Sequence, residues 1–294
     1  MKRISFLAFL LLLIAATPVL AEGETDKPRS LSVKAKASVS YSSDADFDGG
    51  GSSSVAALRA SLKAAGFSFG YEGRDYGWGD KSSLDFSTGS NDPWDTLHRF
   101  SLGYDHKGKI NRQWGYTGAI TLTSAFENQM DDSYGTAIRG GLMYLYDENL
   151  QFMFGARLFK NHIRSSFMPF LGLSYKRLAE DGTGVFMTLG APGSEVGYVF
   201  SEESKIRFNF GVDGRTYRLS DDSTVVESGY METSAMQLGL YYDWKPTKAF
   251  SLSVGPEYSF GREMKFFDDN GDRVGDAEKQ DAAAGFRLEF GYKF

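Results

Sequence analysis

The sequence predicts an all-β fold: a closed, antiparallel, up-and-down β-barrel that crosses a membrane with its strands. Apolar and aromatic residues recur at every second position through most of the chain, and short connections between these segments alternate with long ones. Of the 294 residues, 15% are aromatic, with 24 Phe and 16 Tyr, and 34 are Gly, while the mean hydropathy is only −0.32. Period two sends successive side chains to opposite faces of a strand. Beyond the first residues no apolar run approaches the roughly 20 residues of a helical span, so the apolar content belongs to one-sided strands.

Lys2 and Arg3 precede the apolar run "FLAFLLLLIAA", and Val19-Leu20-Ala21 ends in a small residue before Glu22. This layout predicts a signal peptide over 1–21 cleaved after Ala21, leaving 22–294 as a single barrel. The other reading, an amino-terminal anchor, meets an apolar run that is short for a span and followed by a Pro. The chain has no cysteine, which excludes both a lipidated Cys and disulfide stabilisation of an exported fold.

The first alternating set is Leu31, Val33, Ala35, Ala37, Val39 and Tyr41, followed by Leu58 to Leu62, Phe67 to Tyr71 and Phe100 to Tyr104. Trp114 to Leu122, Ile138 to Tyr146 and Leu150 to Leu158 continue the pattern, as do Ile206 to Val212, Met236 to Trp244, Phe250 to Phe260 and the terminal Phe286 to Phe294. None of these apolar faces carries a charge, as expected where Lys or Arg at mid-bilayer costs about 2–4 kcal/mol. Short connections fall at 64–66, 147–149, 201–204 and 245–248; longer polar ones fall at 42–54, 78–96, 127–133, 160–166, 220–229 and 264–279. That alternation, with both termini on the short-turn side, requires an even strand count. The count is about fourteen. "VFMTLG" and "EVGYVF", around Ala191-Pro192-Gly193, are shorter than the usual 9–11 residues or so, and twelve follows if they do not span.

A soluble sandwich also hides one strand face, but the aromatics separate the two settings. Tyr104, Trp114, Tyr116, Tyr144, Tyr146, Tyr242, Trp244, Phe250, Tyr292 and Phe294 all neighbour the short turns, as in an interfacial girdle. The closing stretch "FRLEFGYKF", with Phe286, Leu288, Phe290, Tyr292 and Phe294, resembles the last strand of the outer-membrane β-barrel proteins of Gram-negative bacteria. The resemblance implies that the barrel-assembly machinery reads this strand. "FLGLSYKRLAEDGTGVFMTLGAPGSEVGYVF" is also similar to a family of outer-membrane barrels without assigned function, and brings no catalytic residues with it.

With the apolar set facing lipid, the alternate set faces inward and is net basic, although the whole chain carries −6. Arg59, Arg99, Arg139, Arg157, Lys205, Arg207, Arg215 and Arg287 are the solute-facing candidates; the compensating acid sits in the long loops. A basic lining lowers the local potential energy of anions, which points to a porin-like passive channel for small anionic solutes. The same charges, paired across strands, would instead plug the barrel, and at twelve or fourteen strands size does not decide.

A plugged barrel would serve as a structural or surface-interaction protein. Its most adhesive loop is 78–96, whose Trp78, Phe86 and Trp94 can also fold inward and constrict the lumen. A third reading is a lipid-modifying hydrolase, as some outer-membrane barrels are. His162, in "FKNHIRSSF" with Ser165 and Ser166, is its best candidate; His106 falls in a turn at the short-turn end, and His98 faces lipid by parity with Phe100. No triad is visible, the His-x-Ser spacing of outer-membrane phospholipases is absent, and the chain reads as no enzyme. "DDNGDRVGD" places Asp268, Asn270, Asp272 and Asp276 at the first, third, fifth and ninth positions of a calcium loop. Arg273 and Lys279 replace the Gly and bidentate Glu that such a loop needs, so a solvated acidic loop is the preferred reading. No other cofactor and no nucleic-acid surface is indicated. The expected partners are membrane lipid, lipopolysaccharide, the assembly machinery and small solutes.

Overall fold

A computed structural model describes residues 32–87, 91–191 and 193–294. The predicted signal peptide, and Pro192 in the turn at 191–193, lie outside the described residues. The chain forms β1 (Val33–Asp46), β2 (Ser52–Ala64), β3 (Phe67–Gly79), β4 (Leu97–Lys109), β5 (Trp114–Phe126), β6 (Tyr134–Leu145), β7 (Leu150–Lys160) and β8 (Ser165–Leu178). It continues with β9 (Gly184–Gly190), β10 (Gly193–Val199), β11 (Ser204–Arg218), β12 (Tyr230–Trp244), β13 (Phe250–Phe267), β14 (Arg273–Gln280) and β15 (Ala283–Lys293).

Each strand pairs antiparallel with the next from β1 to β13, and β15 joins β13 to β1, so the ring closes. β13 pairs with β15 along Phe250–Ser259 and with β14 along Arg262–Phe267. β14 and β15 are therefore two halves of one wall position, broken at Asp281–Ala282, and the fifteen segments make a fourteen-position barrel. The short β9–β10 pair belongs to the ring, which removes the twelve-strand alternative. Closure, the device by which a membrane β-protein satisfies its backbone, removes the sheet edge from the ring except above the short β9–β10 pair, beyond which β8 and β11 continue without it.

Register confirms the parity. Lys34 lies opposite Lys293, Ala37 opposite Phe290 and Tyr41 opposite Phe286, so the apolar sets line up on the outside. Large apolar residues are widely exposed there, and the girdle aromatics Tyr104, Tyr146, Tyr242, Trp244, Tyr292 and Phe294 are among them. Rings at this end meet across strands: Phe67 with Tyr104 at 4.8 Å and Trp114 with Tyr144 at 4.9 Å. In water such an exterior would be an aggregating surface; against hydrocarbon it is solvated. The tightest turn, Ala65-Gly66, has φ of 50° and 87°, the paired left-handed geometry of a two-residue hairpin.

The long connections are shorter than their sequence suggests, because polar strands continue beyond the apolar band. The segment expected as a loop over 264–279 is the end of β13, a turn at 268–272 and β14. Likewise 42–54 reduces to a turn at 47–51 between longer β1 and β2. Above the band both faces contact water or protein, so apolar alternation no longer marks the strand. His106 is a further correction: it lies within β4, opposite Gly118, and the turn is 110–113.

Candidate functional site

The lumen is unevenly filled. At the long-loop end β11 leaves the ring's contour and bridges to β5 in parallel, Arg218 opposite Phe126. Glu127 fastens this seam: its N–H donates to the Arg218 carbonyl at 2.9 Å, and its carboxylate accepts from the N–H of Ser220 at 2.9 Å and of Asp95 at 3.2 Å. On the β1–β3 side of the seam lies a dry cluster of Phe47, Leu84, Trp94, Leu97, Tyr217, Leu219, Met231 and Phe266. Trp94 supplies its centre, with ring centroids 4.7 Å from Trp78 and 5.4 Å from Tyr76. Of the two dispositions open to the 78–96 loop, the inward one holds: Trp78, Phe86 and Trp94 close the outer mouth over this part of the ring. In the same rim, hydrogen bonds from Arg218 and Ser228 hold the Asp221 carboxyl below the ordinary carboxylate range.

Beneath the cluster a charged bridge crosses the lumen from β3 to β11. Glu72 accepts from Arg59 Nε at 2.7 Å, Arg74 Nε at 2.6 Å, an Arg215 guanidinium nitrogen at 3.1 Å and the Tyr217 hydroxyl at 3.3 Å. Arg74 also reaches Asp213 at 2.8 Å, and Arg215 contacts Asp213 as well. Toward the short turns Arg207 pairs with Asp243 at 2.7 Å, Lys205 with the same carboxylate at 3.4 Å, and Arg287 with Glu257 at 2.9 Å.

Five of the eight solute-facing candidates, Arg59, Lys205, Arg207, Arg215 and Arg287, are thus ion-paired. Arg99, Arg139 and Arg157 differ. Among the described residues none of the three has a carboxylate within 4.0 Å. Arg99 stands across from Glu72 in register, but Glu72 is turned to its other partners. Arg139 and Arg157 are direct cross-strand neighbours on β6 and β7, and all three arginines are near enough for their charges to act on one another. Like charges facing across a ladder cost stability, and here, among the described residues, no carboxylate within 4.0 Å offsets that cost.

Apolar side chains share this inner wall. The Phe159 ring lies 5.8 Å from the Arg157 guanidinium, and Met168 is the cross-strand neighbour of Arg157. Phe170 lies flat against β7 and β6 because Gly155 and Gly141 leave room; a Cβ at Gly155 would sit 2.7 Å from its ring. The lumen beside β4–β10 therefore presents unpaired cations next to apolar surface.

Sequence reasoning missed Arg74 and Tyr217, both central to the bridge. The apolar alternation that locates β3 stops at Tyr71, because Gly73 and Asp75 take the outward positions above it. His162 lies in loop 161–164, stacked on Tyr230 at 4.7 Å, with Nε2 donating to the Asp269 carbonyl at 2.9 Å; among the described residues neither Ser165 nor Ser166 bonds to its ring. His98 faces outward as its parity required, its Nδ1 3.0 Å from the Tyr71 hydroxyl. Asp268 caps the 268–272 turn, accepting from the N–H of Asn270 and Asp272, while Asp276 lies out on β14.

No protein-family profile matches the chain, and no curated protein does. Among solved structures, the KdgM porin in complex with disordered oligogalacturonate aligns at 12% identity over 87% of this chain and 99% of that one, with a TM-score of 0.34. The NanC porin aligns at 11% identity over 90% and 100%, with a TM-score of 0.35. An outer membrane channel from Pseudomonas putida F1 aligns at 9% identity over 92% and 100%, with a TM-score of 0.42. Likeness at this level has no bearing on what passes through this barrel.

Proposed function

We propose that the chain is an outer-membrane barrel that passes small anionic solutes along the β4–β10 side of its lumen. The observation that carries this reading is the set of arginines without a carboxylate partner, Arg99, Arg139 and Arg157, close together on an inner wall where Arg59, Arg207 and Arg215 are ion-paired. A cation held beside a solvated passage without a counter-charge recruits anions from solution. The apolar exterior and the aromatic girdle at the short-turn end support a bilayer setting, with short turns periplasmic and the 80–96 and 219–229 loops outside toward lipopolysaccharide. Phe286, Leu288, Phe290 and Tyr292 on β15, with Phe294 just beyond it, keep the outward alternation that would be offered to the assembly machinery.

The test is a planar-bilayer recording of the refolded barrel under a KCl gradient. Steady openings whose reversal potential has the sign of chloride preference are expected, and that preference falls when Arg99, Arg139 and Arg157 are all replaced by Gln. Cation selectivity sinks the reading. A closed barrel that presents its loops to partners is the second reading, favoured by the Trp94 cluster and the Glu72 bridge. A silent barrel that still shows heat-modifiable gel mobility would establish it.

A further inference from the structure

The wall of the barrel is incomplete at one place. β9 and β10 have seven residues each, and β9 pairs only with Gly172–Leu178 of β8 while β10 pairs only with Lys205–Gly211 of β11. Above the hairpin tip, Ser165–Leu171 on one side and Val212–Tyr217 on the other keep their outer neighbours, β7 and β12, and among the described residues have no ladder partner across the gap; only beyond them does Arg218 meet Phe126 of β5. A seven-residue strand at about 3.3 Å per residue, tilted by about 40°, climbs roughly 17–18 Å, short of the apolar band of about 25 Å.

The band itself continues above the tip. Leu171 and Phe167 on β8 and Val212 on β11 face outward and are 72%, 64% and 59% exposed. Pro169, which offers no N–H, sits in the open β8 edge, where proline is tolerated. Overhead, loop 161–164 reaches across to β12, with Arg164 on Glu232 at 2.9 Å and His162 on Tyr230. The gap is a window framed by β8, β11, the hairpin tip and this arch. Open strand edges do not face hydrocarbon unless they line a watered passage, so the window joins the lumen to the bilayer.

Just inside it stand Met168 and Phe170, then Arg157 and Arg139. Resting on the anion-passing reading above, we infer that the solute is an amphipathic anion, a carboxylate with a long hydrocarbon body, held head-first by Arg139 and Arg157. Its body lies against Met168 and Phe170, and it exchanges with the outer leaflet through the β8–β11 window. A hydrophilic anion gains nothing from those apolar contacts, whereas each methylene buried against them adds to affinity.

The cysteine-free chain allows a single introduced thiol to report without background. A fluorophore on Met168→Cys is placed at the window; one on Thr121→Cys sits on the lumen face of β5, walled on both sides by β4 and β6. In vesicles of dibrominated phosphatidylcholine the first label is quenched and the second is not. Equal weak quenching, with both barrels folded by heat-modifiable mobility, overturns the window. In ordinary vesicles, 11-bromoundecanoate quenches the Met168→Cys label saturably, and R139Q/R157Q raises its half-quenching concentration about tenfold. Unsaturable quenching, or the same quenching by 11-bromoundecyltrimethylammonium, overturns the substrate class. Neither readout needs conductance: an anion current with no window means the channel reading stands and this inference fails. A window with saturable anion binding but no current means the reverse.

Discussion

The barrel has two unlike halves built by one parity rule. From β11 through β15 to β3, the inward charges at mid-lumen, Glu72 with Arg59, Arg74 and Arg215 and Asp243 with Arg207, meet opposite charges, and the outer mouth is filled by aromatic side chains. From β4 to β10, Arg99, Arg139 and Arg157 have no carboxylate within 4.0 Å among the described residues, and the wall stops short at the β9–β10 tip. The filled half behaves as the core of a soluble domain transplanted into a barrel, where removing one partner leaves the others buried. The open half leaves Arg139 and Arg157 facing one another across a ladder, an arrangement that costs stability. Lumen-facing charge is therefore two kinds of residue, and substitution separates them.

The largest effect belongs to Glu72→Ala. Glu72 is the common partner of Arg59, Arg74 and Arg215, and its loss leaves Arg59 without a carboxylate and Arg74 and Arg215 with Asp213 alone, in a site with little access to water. Breaking a buried pair from one side costs about 3–5 kcal/mol, so urea unfolding of the refolded barrel, followed by tryptophan fluorescence, should show its midpoint shifted far down. An unchanged midpoint would mean that the bridge is solvated and the two halves are alike.

Next comes Trp94→Ala. The ring is 2% exposed and touches Trp78, Tyr76, Phe86 and Phe266. Truncating a buried aromatic costs roughly 3 kcal/mol. It should also raise the rate at which an outside protease cuts within 80–96, because the loop loses its anchor. A stable variant with an uncut loop would show that the cluster holds without its centre.

The halves differ in how much of them was legible. The apolar faces gave the ring, its parity and its strand number, because hydrocarbon imposes a strict period on one side of every strand. Inside, parity alone placed Arg59, Arg99, Arg139 and Arg157 in the same class. Nothing in a period-two pattern tells that Glu72 would be claimed by Arg215, 143 positions away. The strand extensions beyond the band, with Arg74 and Tyr217, were hidden for the same reason: no lipid face marks them. The window was half visible, since "VFMTLG" and "EVGYVF" are too short to span. Its framing by Leu171 and Val212 needed the register.

The smallest expected effect is the most telling about the comparison. Arg157→Gln removes a charge that faces Arg139 across the ladder and lacks a carboxylate of its own. Relief of like-charge opposition contributes a few tenths of a kcal/mol to about 1 kcal/mol, set against the lost contact of the guanidinium with Phe159. The variant should unfold at the same urea concentration as the parent or slightly higher, the reverse of Glu72→Ala. If Arg157→Gln instead destabilises by several kcal/mol, Arg157 has a counter-charge in the folded protein and belongs with the filled half, and the β4–β10 wall would lose its claim to hold an anion from solution.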